Sequence, residues 1–206
     1  MDLRTLSIGQ EQYPDNLLRR MNKKAPQVLW FLGNEALFHR RKLGVVCSVK
    51  CPGSIILRTS SLVKNLPGEN LAVVSGFHSP LEKECLRIVG RRKLSAIVVV
   101  GRSLIGARIP VEWQSSVEHR EMLLVSAFKK GSKRLTSPLA NKRNELVAAM
   151  ADTVWIPHAA PASKTELLAW RLLKNGMRVF TLSDDANANL LDNGATPLSD
   201  IQELVS

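Results

Sequence analysis

The sequence predicts an α/β protein: a Rossmann-like, doubly wound, mostly parallel sheet with helices on both faces. Three observations predict it. Short apolar runs recur at 28–32, 43–49, 71–74, 96–100, 122–126, 153–156 and 178–182. The run at 43–49, LGVVCSV, is apolar on both sides, as a central strand covered by helices on both faces must be. Between the runs lie stretches with helical spacing, so strand and helix alternate through right-handed crossovers.

Each element has its own signal. A polar lead-in precedes Tyr13-Pro14-Asp15-Asn16, where Pro14 suits a helix edge and Asp15 and Asn16 its first turn. Arg19, Arg20, Lys23 and Lys24 form a solvated basic run. The run at 28–32 is a strand that stops at the turn pair Gly33-Asn34. A helix over 54–65 carries Ile55, Ile56, Leu62 and Val63 and ends before Pro67-Gly68. The strand at 71–74 breaks at Ser75-Gly76. The helix over 80–89 starts at Pro80, with Leu81, Cys85, Leu86 and Val89 on its apolar side. The strand at 96–100 ends at Gly101, and a weaker helix over 111–120 leads to the strand at 122–126. The helix over 141–151 has an apolar stripe of Leu146, Val147 and Met150. A buried strand follows at 153–156, then a small-residue loop at 158–162. Ser163, with Glu166 three residues on, is the capping-box start of another helix. The strand at 178–182, a short helix around Leu190 and Gly194-Ala195 close the chain. The expectation is one domain over 1–206, with a preamble at 1–42 carrying a short strand, a core at 43–196 and a tail at 197–206.

Charge narrows the function. With 206 residues and 45% hydrophobic content, the chain can bury the core of a single α/β unit. It carries 29 Lys and Arg against 18 Asp and Glu, a net charge of +11. That excess favours an anionic partner, nucleic acid before membrane. Three Cys without paired spacing argue against a disulfide framework or a zinc site, and the four His have no metal spacing. Cys47 and Cys85 read as buried structural thiols, and Cys51 as the one nearest a rim. No apolar leader or membrane-length run is present, which makes the cytoplasm the expected compartment.

The helix starting at Ser163 presents free N–H groups and a positive dipole end at the carboxyl edge of the strand before it. In a parallel α/β sheet ligands bind at that edge, and phosphate suits such a place. Arg143 and Asn144 are expected to begin the preceding helix near the same rim, with Arg143 pointing to the pocket. The plainer alternative is that Ser163 and Thr165 only cap a helix and Arg143 is solvated. From 122 to 144 the chain has no acidic residue but carries Lys129, Lys130, Lys133, Arg134, Lys142 and Arg143. The stretch KKGSKR is a Gly/Ser-containing basic loop suited to following a phosphate backbone in a salt-dependent way. Lys50 and Arg102 join from neighbouring strand ends. Arg91, Arg92 and Lys93 sit at a helix's far end, where solvation is the better reading. Aromatic content of 5% makes base stacking a minor theme, and Trp155 belongs to the core. His158 reads either as a phosphate or base contact or as a capped loop residue.

These residues resemble the DNA-processing protein A (DprA/Smf) family across nearly the whole chain. YPDNLL with APQVLWFLGN resembles its preamble. LGVVCSV stands at its first core strand, AVVSGFHSPLEKECL at its Ser-Gly strand–turn–helix with Ser75 and Gly76 matching, and LLVSAF before its basic loop. RNELVAAMAD matches its Arg-Asn helix at Arg143 and Asn144, and RVFTL with NANLLDNGA its closing signature. Departures exist. Cys47 and Val49 replace the Gly and Arg of a Gly-Ser-Arg strand end, leaving Ser48 and Lys50. Glu82 stands for an Asp, Leu86 where the family often has His, and Lys164 for a Gly. Ala188 falls where the family has a late Asn, with Asn187 one place earlier. The resemblance implies a Rossmann core that binds single-stranded DNA in a basic carboxyl-edge pocket. It also implies a role in transformation or recombination, loading of a RecA-type recombinase, and a homodimer. With no His/Asp/Ser nucleophile set and no metal cluster in the sequence, neither a cofactor nor enzymatic activity is expected. The expected contacts are Ser48, Lys50, Ser75, Gly76, Arg102, the loop residues Lys129, Lys130, Lys133 and Arg134, then Lys142, Arg143, Asn144, Ser163, Lys164 and Thr165.

A second reading comes from the same fold. The segment PASKTE at 161–166 resembles the phosphate loop of LOG-type nucleotide phosphoribohydrolases, whose Glu is catalytic, but it lacks every Gly of that loop. Without Gly the backbone cannot approach a phosphate as closely. Glu166 then reads better as a capping carboxylate. A nucleotide-binding sensor is the remaining alternative.

Overall fold

Among residues 2–128 and 136–205, those described by the computed structural model, nine strands form one sheet. They are β1 (Arg4–Ser7), β2 (Val28–Gly33), β3 (Arg41–Val45), β4 (Leu71–Ser75), β5 (Ser95–Val99), β6 (Met122–Ser126), β7 (Thr153–Trp155), β8 (Val179–Leu182) and β9 (Thr196–Leu198). Across the sheet the order is β1-β2-β6-β5-β4-β3-β7-β8-β9. Neighbours from β6 to β9 are parallel, and β1 and β2 add an antiparallel edge. The fold is the doubly wound α/β sheet that the alternation of runs predicts.

The helices are α1 (Asp15–Met21), α2 (Gly53–Val63), α3 (Pro80–Arg91), α4 (Val111–Glu118), α5 (Ser137–Met150), α6 (Lys164–Lys174) and α7 (Ala188–Leu191). Alternate strand residues feed two cores. Val74, Ile97, Leu123 and Val154 pack with Leu17, Leu146, Met150, Leu168 and Leu190 from α1, α5, α6 and α7. Val73, Val98, Leu124 and Trp155 pack with Ile55, Leu81, Cys85 and Val117 from α2, α3 and α4. Both faces of the central strands are therefore buried, which is why their sequences are apolar without alternation. At Gly44 a Cβ would stand 2.7 Å from the Cβ of Ala151, so glycine there lets the end of α5 close onto β3.

Several boundaries differ from the sequence reading, each for a local reason. β1 lies in the polar lead-in; of RTLS only Leu6 is buried, so it carries no apolar run. β3 starts two residues early and leaves regular pairing at Val45, though residues 46–48 stay buried. α5 begins at Ser137 with a proline in its first turn, four residues before the expected start. Arg143 is consequently in its second turn and does not open the helix. β9 and a 3-10 turn over Ile201–Leu204 pack the last residues against the second core. No helix of the described residues is long and apolar enough to cross a membrane.

Candidate nucleic-acid interface

Strand order reverses between β3 and β7, because β4 to β6 extend one way and β7 to β9 the other. A crevice forms outside the carboxyl ends of strands at such a switch point. The segments leaving β3 and β7 are stitched together there. Val46 N–H donates to Trp155 O at 3.2 Å and Ser48 N–H to His158 O at 3.1 Å. Ser48 Oγ accepts the Ala160 N–H at 3.0 Å and lies 3.1 Å from Ser163 Oγ. Ser163 Oγ in turn accepts the Glu166 N–H at 3.1 Å as the N-cap of α6. Two hydroxyls from opposite sides of the switch point thus meet at a helix start.

Two buried carboxylates hold the loops. Glu82 is 2% exposed and accepts backbone N–H bonds from Cys47 (2.9 Å), His78 (2.8 Å) and Ser79 (3.2 Å). It completes a capping box with Ser79 and clamps the loop after β3 to the loop after β4. Glu166 plays the same part for the loop after β7. Its Oε2 accepts the Ala162 N–H at 2.7 Å and its Oε1 accepts Asn189 Nδ2. The expected box at Ser163 is thus half formed, since the carboxylate reaches Ala162 and not the cap itself. Buried and engaged at both oxygens, Glu166 is a brace of the loop.

Arg143 is a buried cation within electrostatic reach of Glu82. Only 5% of it is exposed, and its Nε and Nη2 donate to Asn144 Oδ1 at 3.0 and 2.8 Å. Its guanidinium rests on Gly76, where a Cβ would come within 2.3 Å of Nε. Burial pulls its pKa down and the charge of Glu82 pulls it back, but a guanidinium stays protonated in either case. The plainer alternative of a solvated Arg143 does not hold: the side chain is buried and held by packing.

His158 is a loop residue, with Nδ1 2.9 Å from Asn187 Oδ1. Asn187, fully buried, also donates to Pro157 O at 2.8 Å and Leu182 O at 3.1 Å. The sequence reading gave Asn187 no role; its only signal was the late Asn of the family, one position out of place. Ser75 is buried and its Oγ accepts the Phe77 N–H at 3.1 Å, shaping the turn that carries Gly76. Thr165 is buried in the first turn of α6. Lys50, Lys142 and Lys164 are exposed, and Lys164 shares a groove with Asn144. Arg102 follows β5, two strands from β3, and its carbonyl accepts Ser126 Oγ at 2.7 Å. Lys129, Lys130, Lys133 and Arg134 lie outside the described residues. By contact, then, the shared site is Ser48 with Ser163 and Gly76 with Arg143 and Asn144, joined through Glu82.

Comparison with known proteins agrees with this fold. The sequence profile of the family described as DNA recombination-mediator protein A matches residues 4–206. No curated protein sequence matches the chain. The structure is similar to DNA processing protein A from Streptococcus pneumoniae, with a TM-score of 0.82 and 20% identity, over 100% of this chain and 74% of that one. It is similar to DNA processing protein A from Helicobacter pylori, whose structure concerns its single-stranded DNA binding mode. There the TM-score is 0.77 and the identity 20%, over 100% of this chain and 94% of that one. A molybdenum cofactor carrier protein from Chlamydomonas reinhardtii shares the fold less closely, with a TM-score of 0.53 and 12% identity over 81% of this chain and 99% of that one.

Proposed function

Because the chain belongs to the DNA recombination-mediator protein A family, we propose that it binds single-stranded DNA in the switch-point crevice and passes it on in recombination. The observation that carries this reading is Arg143, a buried cation held by Gly76 and Asn144 at the end of β4, the strand next to β3, whose end meets the helix start at Ser163. A fixed guanidinium and a helix N-terminus both favour a phosphate. Contacts of that kind hold a nucleic-acid backbone and leave sequence unread. The net charge of +11 supports the same partner. The single-strand preference is drawn from the Helicobacter pylori relative. The family's description as a recombination mediator supports hand-over of the strand to a RecA-type recombinase during transformation. The engaged carboxylates of Glu82 and Glu166 favour a binding protein over a nucleotide hydrolase.

Fluorescence anisotropy of a labelled single strand tests the reading. Arg143→Ala should weaken binding by roughly 1–3 kcal/mol, the range for a charge-assisted contact. Arg91→Ala, at the far end of α3, should do much less. Equal losses would mean diffuse surface attraction without a crevice.

A further inference from the structure

The crevice does not end at Asn144. That residue also lines a groove of about 470 Å³ between α5 and α6. α6 runs away from the crevice and shows solvent Lys164, Leu167, Trp170, Arg171 and Lys174, spaced to share one face. Leu167 is 45% and Trp170 39% exposed, large apolar groups left uncovered on this face. Arg171 is paired with Glu145 at 2.7 Å, whereas Lys164 and Lys174 make no ion pair among the described residues. The groove then opens, through Glu145, Leu168 and Arg171, into a cavity of about 950 Å³. Six Arg or Lys and three carboxylates line that cavity, and Arg19, Lys24 and Arg178 are exposed there.

We infer that this face is the outward path of the single strand, with a base stacked on Trp170 and phosphates on Lys164 and Lys174 on the way to the Arg19–Lys24–Arg178 cavity. The inference rests on the single-strand reading of the crevice. An exposed indole between unpaired cations is what a stacked base with flanking phosphates requires. From Lys164 to Lys174 the helix advances about 15 Å, room for up to about four nucleotides at ~3.4 Å each. A second copy of the chain fits less well. A two-fold interface would set this face against itself and bring the same unpaired lysines together. Low aromatic content conceals the feature in the sequence, since one well-placed Trp is enough.

The test compares oligothymidylates of about 5 and about 25 nucleotides, one near the low end of single-strand site sizes of about 4–16 nucleotides and one longer than all of them. Trp170→Ala should weaken binding of the longer one by roughly five- to a hundredfold and leave the shorter one unchanged. Lys174→Glu, an exposed change, should follow the same pattern, and Trp170→Phe should retain most of the affinity. Binding of the longer strand should quench emission in the wild type, and less in Trp170→Phe. Losses equal at both lengths, or none at either, overturn the path. Unchanged DNA binding with a shift from dimer to monomer in sedimentation assigns the face to a second copy and overturns it too. Wild-type protein that binds neither length overturns the crevice reading as well, whereas wild-type binding with silent variants overturns the path alone.

Discussion

Arg143 lies against Gly76 so closely that a methyl group at Gly76 would come 2.3 Å from Nε and 2.5 Å from Cζ. Only the absence of a side chain at the end of β4 lets a cation from α5 reach the carboxyl edge. The Ser-Gly turn and the Arg-Asn helix are far apart in sequence and form one device in space.

Gly76→Ala should therefore displace the guanidinium and weaken single-strand binding about as much as Arg143→Ala, on the order of 1–3 kcal/mol. Gly90→Ala is the control, because nothing lies within 4 Å of a Cβ there. Anisotropy titrations of the two variants decide it. Equal affinities for Gly76→Ala and wild type would show that Arg143 can move without consequence.

Most of the fold was legible in the sequence, because apolar runs and Gly/Pro breaks mark the strands and helices directly. β1 was not, since an edge strand with one buried residue leaves no pattern. The site was legible as residue types at strand ends, but its arrangement was not. Spacing placed Arg143 at a helix start, whereas Pro138 lets α5 begin a turn earlier and buries it. The Ser79-to-Glu82 spacing is that of a capping box, but the bond from Cys47 N–H, which makes Glu82 a clamp between two loops, has no mark in the sequence. Asn187 was passed over because its partners lie on separate segments, after β7 and at the end of β8.

Glu82→Ala should leave the N–H groups of Cys47, His78 and Ser79 without their acceptor. The donors of Cys47 and Ser79 are buried, and buried donors left unsatisfied cost about 1–3 kcal/mol each, so a loss of about 2 kcal/mol or more is expected in urea unfolding. Glu82→Gln keeps an acceptor oxygen and should lose less. Equal stability of Glu82→Ala and wild type would remove the clamp from the account.

The three thiols should react unequally. Hydrogen bonding to Cys51 and burial push the Cys47 thiol up, and burial pushes Cys85 up, whereas the bond from Cys47 pulls Cys51 down. Iodoacetamide near neutral pH should modify Cys51 first, and Cys47→Ala should slow that reaction. Mass spectrometry of the native protein reads both. Loss of oligonucleotide binding on modification, with the fold intact, would make Cys51 part of the site.

Tyr13 is the only tyrosine of the chain, and its hydroxyl donates to Pro26 O at 2.6 Å. Burial pushes its pKa up to about 12, above the ordinary phenol value of 10.0. A raised pKa stabilises the fold fully below pH 10 and that contribution is lost as pH climbs toward about 12. Ultraviolet titration should show the phenol ionising near the upper value, and Tyr13→Phe should flatten the alkaline fall in stability. Ionisation at the ordinary value in folded protein would contradict the burial.

The central claim is a phosphate-holding crevice that takes a single strand. It is tested most directly by a salt series of binding to a single-stranded oligonucleotide, a duplex and a mononucleotide, for wild type and Arg143→Ala side by side. The account predicts tightest binding to the single strand, a steep fall with salt, and a slope reduced by about one phosphate contact in Arg143→Ala. Preferential binding of the mononucleotide, or a salt slope that Arg143→Ala leaves unchanged, would contradict it.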